Sequence, residues 1–249
     1  MTTYRAWNLK PLDRSALKEL TAAIAQQNTE ELESRAMETM DGEPWSEEKY
    51  QMTLAAQQKE AGLLAGILAA RGITDPAEAL TLLSGEEELT DPMLLTDMDK
   101  ACARILDAID REETIVVFGD YDVDGVTATA LLYQHLKGMG ANVKCMLPSR
   151  EGDGYGLSKN AIQSIHDKGY QLIVTVDNGI SALEEAEFAA SLGVDLIVTD
   201  HHLPHDTLPK AVAVVDPRRA DDTSPFKGLC GAGVAFKLLS LIHISEPTR

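Results

Sequence analysis

The sequence predicts an α/β protein, a doubly wound, mainly parallel five-stranded sheet preceded by an all-α N-terminal region. Three observations predict it. From Thr114 onward, five short runs, Thr114–Phe118, Asn142–Leu147, Gln171–Val176, Asp195–Thr199 and Ala211–Val215, alternate with segments of helical apolar spacing. The runs are rich in Val and Ile, as expected of parallel strands covered on both faces. Upstream, Ser15 to Arg71 is dominated by Ala, Leu, Gln, Glu and Lys, a helix-forming composition.

The helical beginning breaks near Asp41-Gly42-Glu43-Pro44 and again at Arg71-Gly72. Asp75-Pro76 starts a short helix through Leu83, and Asp99 to Ile109 carries apolar residues at Ala103, Ile105, Leu106 and Ile109. These helices read as scaffold. Between the strands, helices are expected over Val126–Leu136, Ser158–His166 and Ala182–Leu192. The expected organisation is therefore a helical region over 1–112 and an α/β domain over 113–238, with 239–249 set apart for reasons given below.

At 249 residues and 44% hydrophobic, the chain has enough apolar material for a core. No run approaches the roughly 18 apolar residues of a membrane span, and Met1-Thr2-Thr3-Tyr4-Arg5 leads into no apolar signal region, so a cytoplasmic protein is expected. Cys102, Cys145 and Cys230 are far apart and odd in number, which argues against a disulfide framework or a zinc knuckle and for small buried residues. The net charge of −18 runs against the basic face usual in a nucleic-acid binder. Acidic metal clusters contribute to such a charge, and bound cations reverse it locally. Much of the remainder, such as Glu30-Glu31-Leu32-Glu33 and Glu86-Glu87-Glu88, reads as solvated faces.

The chemistry lies where the strands end. The first run leads into Gly119-Asp120-Tyr121-Asp122-Val123-Asp124-Gly125, with three acids that repel one another unless a cation holds them. Oxygen ligands with no Cys nearby favour Mg²⁺ or Mn²⁺. Calcium in an EF-hand loop would need an acidic residue six positions after the Gly, where Leu131 stands, and a preceding helix where a strand is expected. The third run ends in Val176-Asp177-Asn178-Gly179-Ile180 and the fourth in Val198-Thr199-Asp200-His201-His202. Three of five strands thus deliver Asp or His to one sheet edge, where open α/β sheets bind ligands, and a shared metal site is expected there.

These stretches resemble the motifs of the DHH phosphoesterase family, named for the triplet that here is Asp200-His201-His202. Leu89-Thr90-Asp91-Pro92 with Asp97-Met98, Gly154-Tyr155-Gly156-Leu157 after Arg150, and Leu229-Cys230-Gly231-Ala232-Gly233-Val234-Ala235-Phe236-Lys237 are similar to RecJ-type exonucleases in particular. The resemblance runs from about Leu63 to Lys237. It implies a metal-dependent exonuclease that digests single-stranded DNA from 5′ to 3′ and releases mononucleotides in recombination and repair. The implied cofactors are two Mn²⁺ or Mg²⁺ ions. Implied ligands are Asp122, Asp124, Asp177 and His201, with Asp177 bridging the two ions. Those four residues with His202 form the implied catalytic set. Asp120, Asp200 and His202 stand as further ligands or as outer partners that orient them, and Arg150 and Tyr155 as substrate contacts. Single-stranded DNA is the implied partner, with a single-strand-binding protein as a further one, no membrane, and a monomeric state.

Two departures qualify the resemblance. The family carries a further metal-ligand Asp in a downstream Gly-Thr-x-Ala-Asp segment and then a second domain, and neither is found here. Asp216 sits where RecJ proteins commonly have Asn and is not expected to replace that ligand. The end of the chain, Leu239 to Arg249, resembles the translation of a transposon-based sequencing adapter. On that basis the chain is expected to be an inactive fragment in which Val234, Phe236 and Leu238 lack partners. Two other function classes fit less of the chain. A DHH enzyme for oligonucleotides, cyclic dinucleotides or pyrophosphate would not need the long helical region or the Gly154–Leu157 loop, and an Mg²⁺-binding signalling domain has no use for His201-His202.

Overall fold

The structure, a computed structural model, describes residues 13–37, 45–85, 89–148 and 156–245. The chain forms two compact units, Met1–Leu89 and Thr90–Arg249. In the first, α1 (Arg14–Met37), α2 (Glu47–Ala70) and α3 (Pro76–Ser84) bury Leu20, Ile24, Ala61, Ala65, Leu68 and Ala79. Ser46 starts α2 by accepting from Lys49 N, and Asp75 starts α3 by accepting from Glu78 N with Pro76 as the first helical residue. The break expected at Asp41–Pro44 lies outside the described residues.

The second unit runs α4 (Met98–Asp110), β1 (Ile115–Phe118), α5 (Val123–Gly138), β2 (Val143–Met146), α6 (Lys159–Asp167), β3 (Leu172–Val176), α7 (Leu183–Ser191), β4 (Asp195–Thr199), β5 (Ala213–Val215) and α8 (Gly231–Ser245). The strand order is β2-β1-β3-β4-β5, and every pair is parallel. Because strand side chains alternate, each strand feeds two cores. Ile115, Val117, Leu172, Val174 and Ile197 join α4, α5 and α8 on one face. Val116, Phe118, Ile173 and Val198 join α6 and α7 on the other. Both faces are covered, which is why the runs read as continuous apolar stretches. The α/β alternation starts after residue 112, but α4 belongs to the same compact unit because Ala101, Cys102, Ile105 and Ala108 pack into the first core.

Three details differ from expectation. The helix after β1 begins at Val123 rather than Val126, because Asp122 caps it by accepting from Gly125 N at 2.8 Å. Asp124 is therefore in the first helical turn and not in a loop. Of the cysteines only Cys102 is buried; Cys145 lies on the edge strand β2 and Cys230 on the loop before α8, and both are exposed. Val234 and Leu238 do have partners: both are fully buried in the core beneath α8, whose length extends to Ser245 and also buries Leu239, Leu241 and Ile242, while Phe236 points outward. Among the described residues no helix is long and apolar enough to cross a membrane.

Candidate metal centre

β1 and β3 are neighbours at the point where the chain, having added β2 to one side of β1, crosses to build the other side. A crevice opens at such a switch point beyond the carboxyl ends of the strands. The residues that follow β1, β3 and β4 meet there, because these three strands are adjacent and in register, with Phe118 opposite Thr175 and Val176 opposite Thr199.

Asp177 is the centre of the arrangement. It is 2% exposed and adopts a left-handed backbone, φ 61°, immediately after β3, with its N–H donating to Thr199 O at 3.0 Å. Left-handed backbone is uncommon outside glycine and is maintained when the surroundings fix it. Here they do. The neighbouring Asn178 side chain is buried and donates to both Phe118 O and Val176 O, tying the ends of β1 and β3 together. Gly179, at φ 108°, leaves room that a Cβ would take from Thr175 and Val198.

Two groups of side chains converge through Asp177. Asp120, Asp122 and Asp177 offer ligand atoms all within 4.8 Å of one another, and so do Asp177, His201 and His202. His201 Nε2 is 3.1 Å from Asp177 Oδ1 and 3.5 Å from Asp124 Oδ2, at ion-pair distance. Yet Asp177 Oδ1 and Asp120 Oδ1 are buried and accept no hydrogen bond from any described residue. Burial, followed by the charges of Asp124 and Asp122, pushes the Asp177 carboxyl up to about 7. Close acceptors without donors, around a carboxylate that its neighbours repel, suit a divalent cation with oxygen and imidazole ligands. The residues present fit such an ion.

The remaining residues have defined places. Asp124 is held by α8, whose first two amides, Gly231 N and Ala232 N, donate to its two oxygens at 2.7 Å each. Burial opposes its ionisation, but these amides, together with the Cys230 side chain and His201, outweigh that and keep its carboxyl below the usual value. Asp200 turns inward. Its Oδ2 accepts from Ile180 N, and its Oδ1 from His201 N, His202 N and, at 2.7 Å, the His202 ring at Nδ1. Burial works against protonation of His202, but that bond and the Asp200 charge raise its pKa overall. Asp200 therefore orients the His202 ring rather than facing the cluster. Asp216, at the end of β5, is fully buried and pushed up to about 7 chiefly by burial; its Oδ2 has no partner among the described residues, and it joins neither group. A cleft of about 440 Å³ adjoins the cluster, lined by Asp120, Leu157, Asp177, Asn178, Asp200 and His202 among others, with no Lys or Arg among its described lining residues. Arg150 and Tyr155 lie outside the described residues.

The α8 amides and Asn178, which hold Asp124 and the strand ends, are parts of the site that sequence reasoning does not find. Their only signal is indirect, the Gly231-Ala232-Gly233 run before an apolar helix and the Asp-Asn-Gly after β3.

Comparisons with known proteins agree with this geometry. The family described as "DHH family, N-terminal domain" matches residues 114–248, more than half of the chain. The single-stranded-DNA-specific exonuclease RecJ of Bacillus subtilis (strain 168) is 43% identical over 188 residues, which are 75% of this chain and 24% of that protein. RecJ of Escherichia coli (strain K12) is 42% identical over 178 residues, 71% of this chain and 30% of that protein. A crystal structure of RecJ in complex with Mn²⁺ from Thermus thermophilus superposes with a TM-score of 0.60 at 30% identity, covering 76% of this chain and 26% of that one. This chain thus spans about a quarter to three tenths of the length of these relatives. The matched segment opens at the start of β1 and contains every strand end that supplies the cluster, and the chain belongs to the DHH family.

Proposed function

We propose that the second unit is the metal-binding part of a phosphodiesterase that digests single-stranded DNA from the 5′ end and releases mononucleotides. The observation that carries the reading is the position of Asp177, shared by the Asp120–Asp122 group and the His201–His202 group, with a buried oxygen that accepts no hydrogen bond from any described residue. Asp122, Asp124, Asp177 and His201 would hold two Mn²⁺ or Mg²⁺ ions, with Asp120 as a further ligand. When bound, such a pair of ions neutralises charge on a phosphodiester and makes a water acidic enough to attack it near neutral pH.

The chain's own residues do the rest. The Asp122 cap and the α8 amides fix two carboxylates before any ion arrives, and the Asn178 bonds fix the strand ends that carry Asp120 and Asp177. Asp200 engages Nδ1 of His202, which leaves the other ring nitrogen available toward the cleft, where it can hold or pass a proton at a phosphate oxygen. The acidic cleft would repel a phosphate by itself, so substrate binding should depend on the ions. RecJ relatives are named for single-stranded DNA, which is the source of the substrate assignment. A cytoplasmic, monomeric protein, and a single-strand-binding protein as a further partner, accompany this proposal.

Calorimetric titration of Mn²⁺ into residues 1–249, with mononucleotide release from a 5′-labelled single strand measured in the full-length protein, tests the reading. Asp124→Ala and Asp177→Ala should abolish release while leaving the circular dichroism spectrum unchanged. Turnover at the wild-type rate in either variant would refute the ligand set.

A further inference from the structure

The first turn of α8 touches both carboxylates that face His201. Gly231 N donates to Asp124 Oδ2 and Ala232 N to Asp124 Oδ1. Asp124 itself lies in the first turn of α5, so its side chain sits between the N-termini of two helices of 16 and 15 residues, where a negative charge is favoured. On its other side Gly231 lies against Asp177. A Cβ on Gly231 would stand 2.5 Å from Asp177 Cβ and 2.6 Å from its Cγ, so only glycine admits this approach. α8 is in turn anchored far from the cluster. The buried Lys237 ammonium donates to Thr90 O. The loop that leads into the helix is tied down by Arg219 Nη1 on Asp97 Oδ2 at 2.7 Å and by Thr96 N on Asp222 Oδ2 at 2.8 Å.

We propose that the first turn of α8 is a positioning device for the metal centre, in which the Gly231 and Ala232 amides set the Asp124 carboxylate, so that cation binding and seating of the α8 N-terminus are thermodynamically linked. The inference rests on the two-cation reading above. Each carboxylate oxygen accepts more than one bond, so one amide apiece leaves a lone pair on each for a cation. Without the amides only His201 and the Cys230 side chain offset the repulsion between Asp124 and Asp177, and the Asp124 side chain is freer to rotate away from the cluster. Linkage is reciprocal. A cation that requires Asp124 in place stabilises the seated turn by the same factor by which the seated turn tightens the cation.

The test uses residues 1–249 and Mn²⁺ alone. Ala232→Pro removes one donor at a position in the first helical turn where proline is tolerated, and the glycine before it eases the steric restriction on that neighbour. The Kd for Mn²⁺ should rise roughly 10- to 100-fold, as when groups that orient metal ligands are removed. The melting temperature without metal should change little. A variant that binds Mn²⁺ as tightly as wild type overturns the inference and leaves the metal-site reading standing, whereas a wild-type chain that binds no Mn²⁺ overturns both. Should Ala232→Pro fail to fold, hydrogen exchange on the wild-type chain decides. Saturating Mn²⁺ should slow exchange of the Gly231 and Ala232 amides several-fold, and Asp124→Ala should speed it without metal. Exchange indifferent to both changes would show that the turn and the cation are not coupled.

Discussion

The second unit contains two acidic clusters of the same residue type with opposite electrostatics. Around Asp97, the protein supplies its own cations: Arg219 bridges Asp97 and Asp221 at 2.7 Å each, and Lys227 pairs with Asp222. Backbone amides add to this, with Thr96 N and Ser224 N on Asp222. Burial would raise Asp97 and Asp222, but hydrogen bonds from Lys100 and Arg219 in one case and Lys227 and Ser224 in the other outweigh it. At the sheet edge, Asp120, Asp122 and Asp177 have no Lys or Arg at ion-pair distance among the described residues, and Asp177 is driven up instead of down. Compensated acids are structural. On the proposed reading, the uncompensated acids at the switch point are held in place for a cation that comes from outside.

Exchanging one carboxylate for an amide in each cluster gives the largest effect and separates the two roles. Asparagine also tolerates the left-handed backbone, so Asp177→Asn keeps the local chain path. This variant should lose Mn²⁺ binding in calorimetry and, without metal, be at least as stable as wild type to urea, because a repulsive charge is gone. Asp97→Asn should do the reverse. It leaves the buried Arg219 with only the more exposed Asp221 as a carboxylate partner and costs about 2 kcal/mol, while Mn²⁺ binding weakens far less than in Asp177→Asn. If Asp97→Asn weakens Mn²⁺ binding more than Asp177→Asn does, the division into two clusters fails.

The pH dependence of the metal-free chain sharpens the contrast. Asp97 and Asp222 have folded values below the unfolded value near 3.8, so their contribution is present above that pH and is lost as the pH falls through the folded values. Asp177 and Asp216 are raised to about 7, so theirs is present below 3.8 and lost as the pH rises through about 7. Metal-free stability should therefore peak in weak acid and decline between about pH 4 and 7, by roughly 4 kcal/mol at most for each raised carboxyl. Saturating Mn²⁺ should cancel the part due to Asp177 and leave the part due to Asp216, which joins neither ligand group. Urea titrations at pH 4, 5.5 and 7.5, with and without Mn²⁺, measure both parts. A decline of equal size in Asp177→Asn would assign it to other groups.

What could be read from the sequence was what is local in it. A Val- and Ile-rich run followed by Asp120, Asp122 and Asp124 states its strand and its chemistry within a dozen residues, and the same holds for Asp177 and for Asp200–His202. The parallel order that brings three such ends together follows from the alternation of runs and helices. Contacts across long separations could not be read. Gly231 reaches Asp124 over 107 residues and Arg219 reaches Asp97 over 122, and no periodicity encodes either. Nor does sequence say which ring an Asp beside two His residues will hold. The loop geometry places Asp200 on His202 and leaves His201 to face Asp177 and Asp124.

The smallest expected effect lies within the compensated cluster, where Asp97 has one buried cationic partner and one exposed one. Lys100 reaches Asp97 from three residues along α4, but its side chain is 61% exposed, against 7% for Arg219. Holding a long side chain in one geometry costs entropy that a solvated ion pair barely returns, and salt screens the remainder. The Lys100 pKa is raised by its hydrogen bond and charge interaction with Asp97, a shift that at a solvated ammonium does not translate into stability. Lys100→Ala should therefore be indistinguishable from wild type in urea titration and unaffected in Mn²⁺ affinity, since Asp97 keeps its Arg219 contact and its bond from Val214 N. Arg219→Ala, measured in parallel, should destabilise clearly. A loss in Lys100→Ala comparable to that in Arg219→Ala would mean that charge balance in this cluster, and not burial of the guanidinium, determines its contribution to the fold.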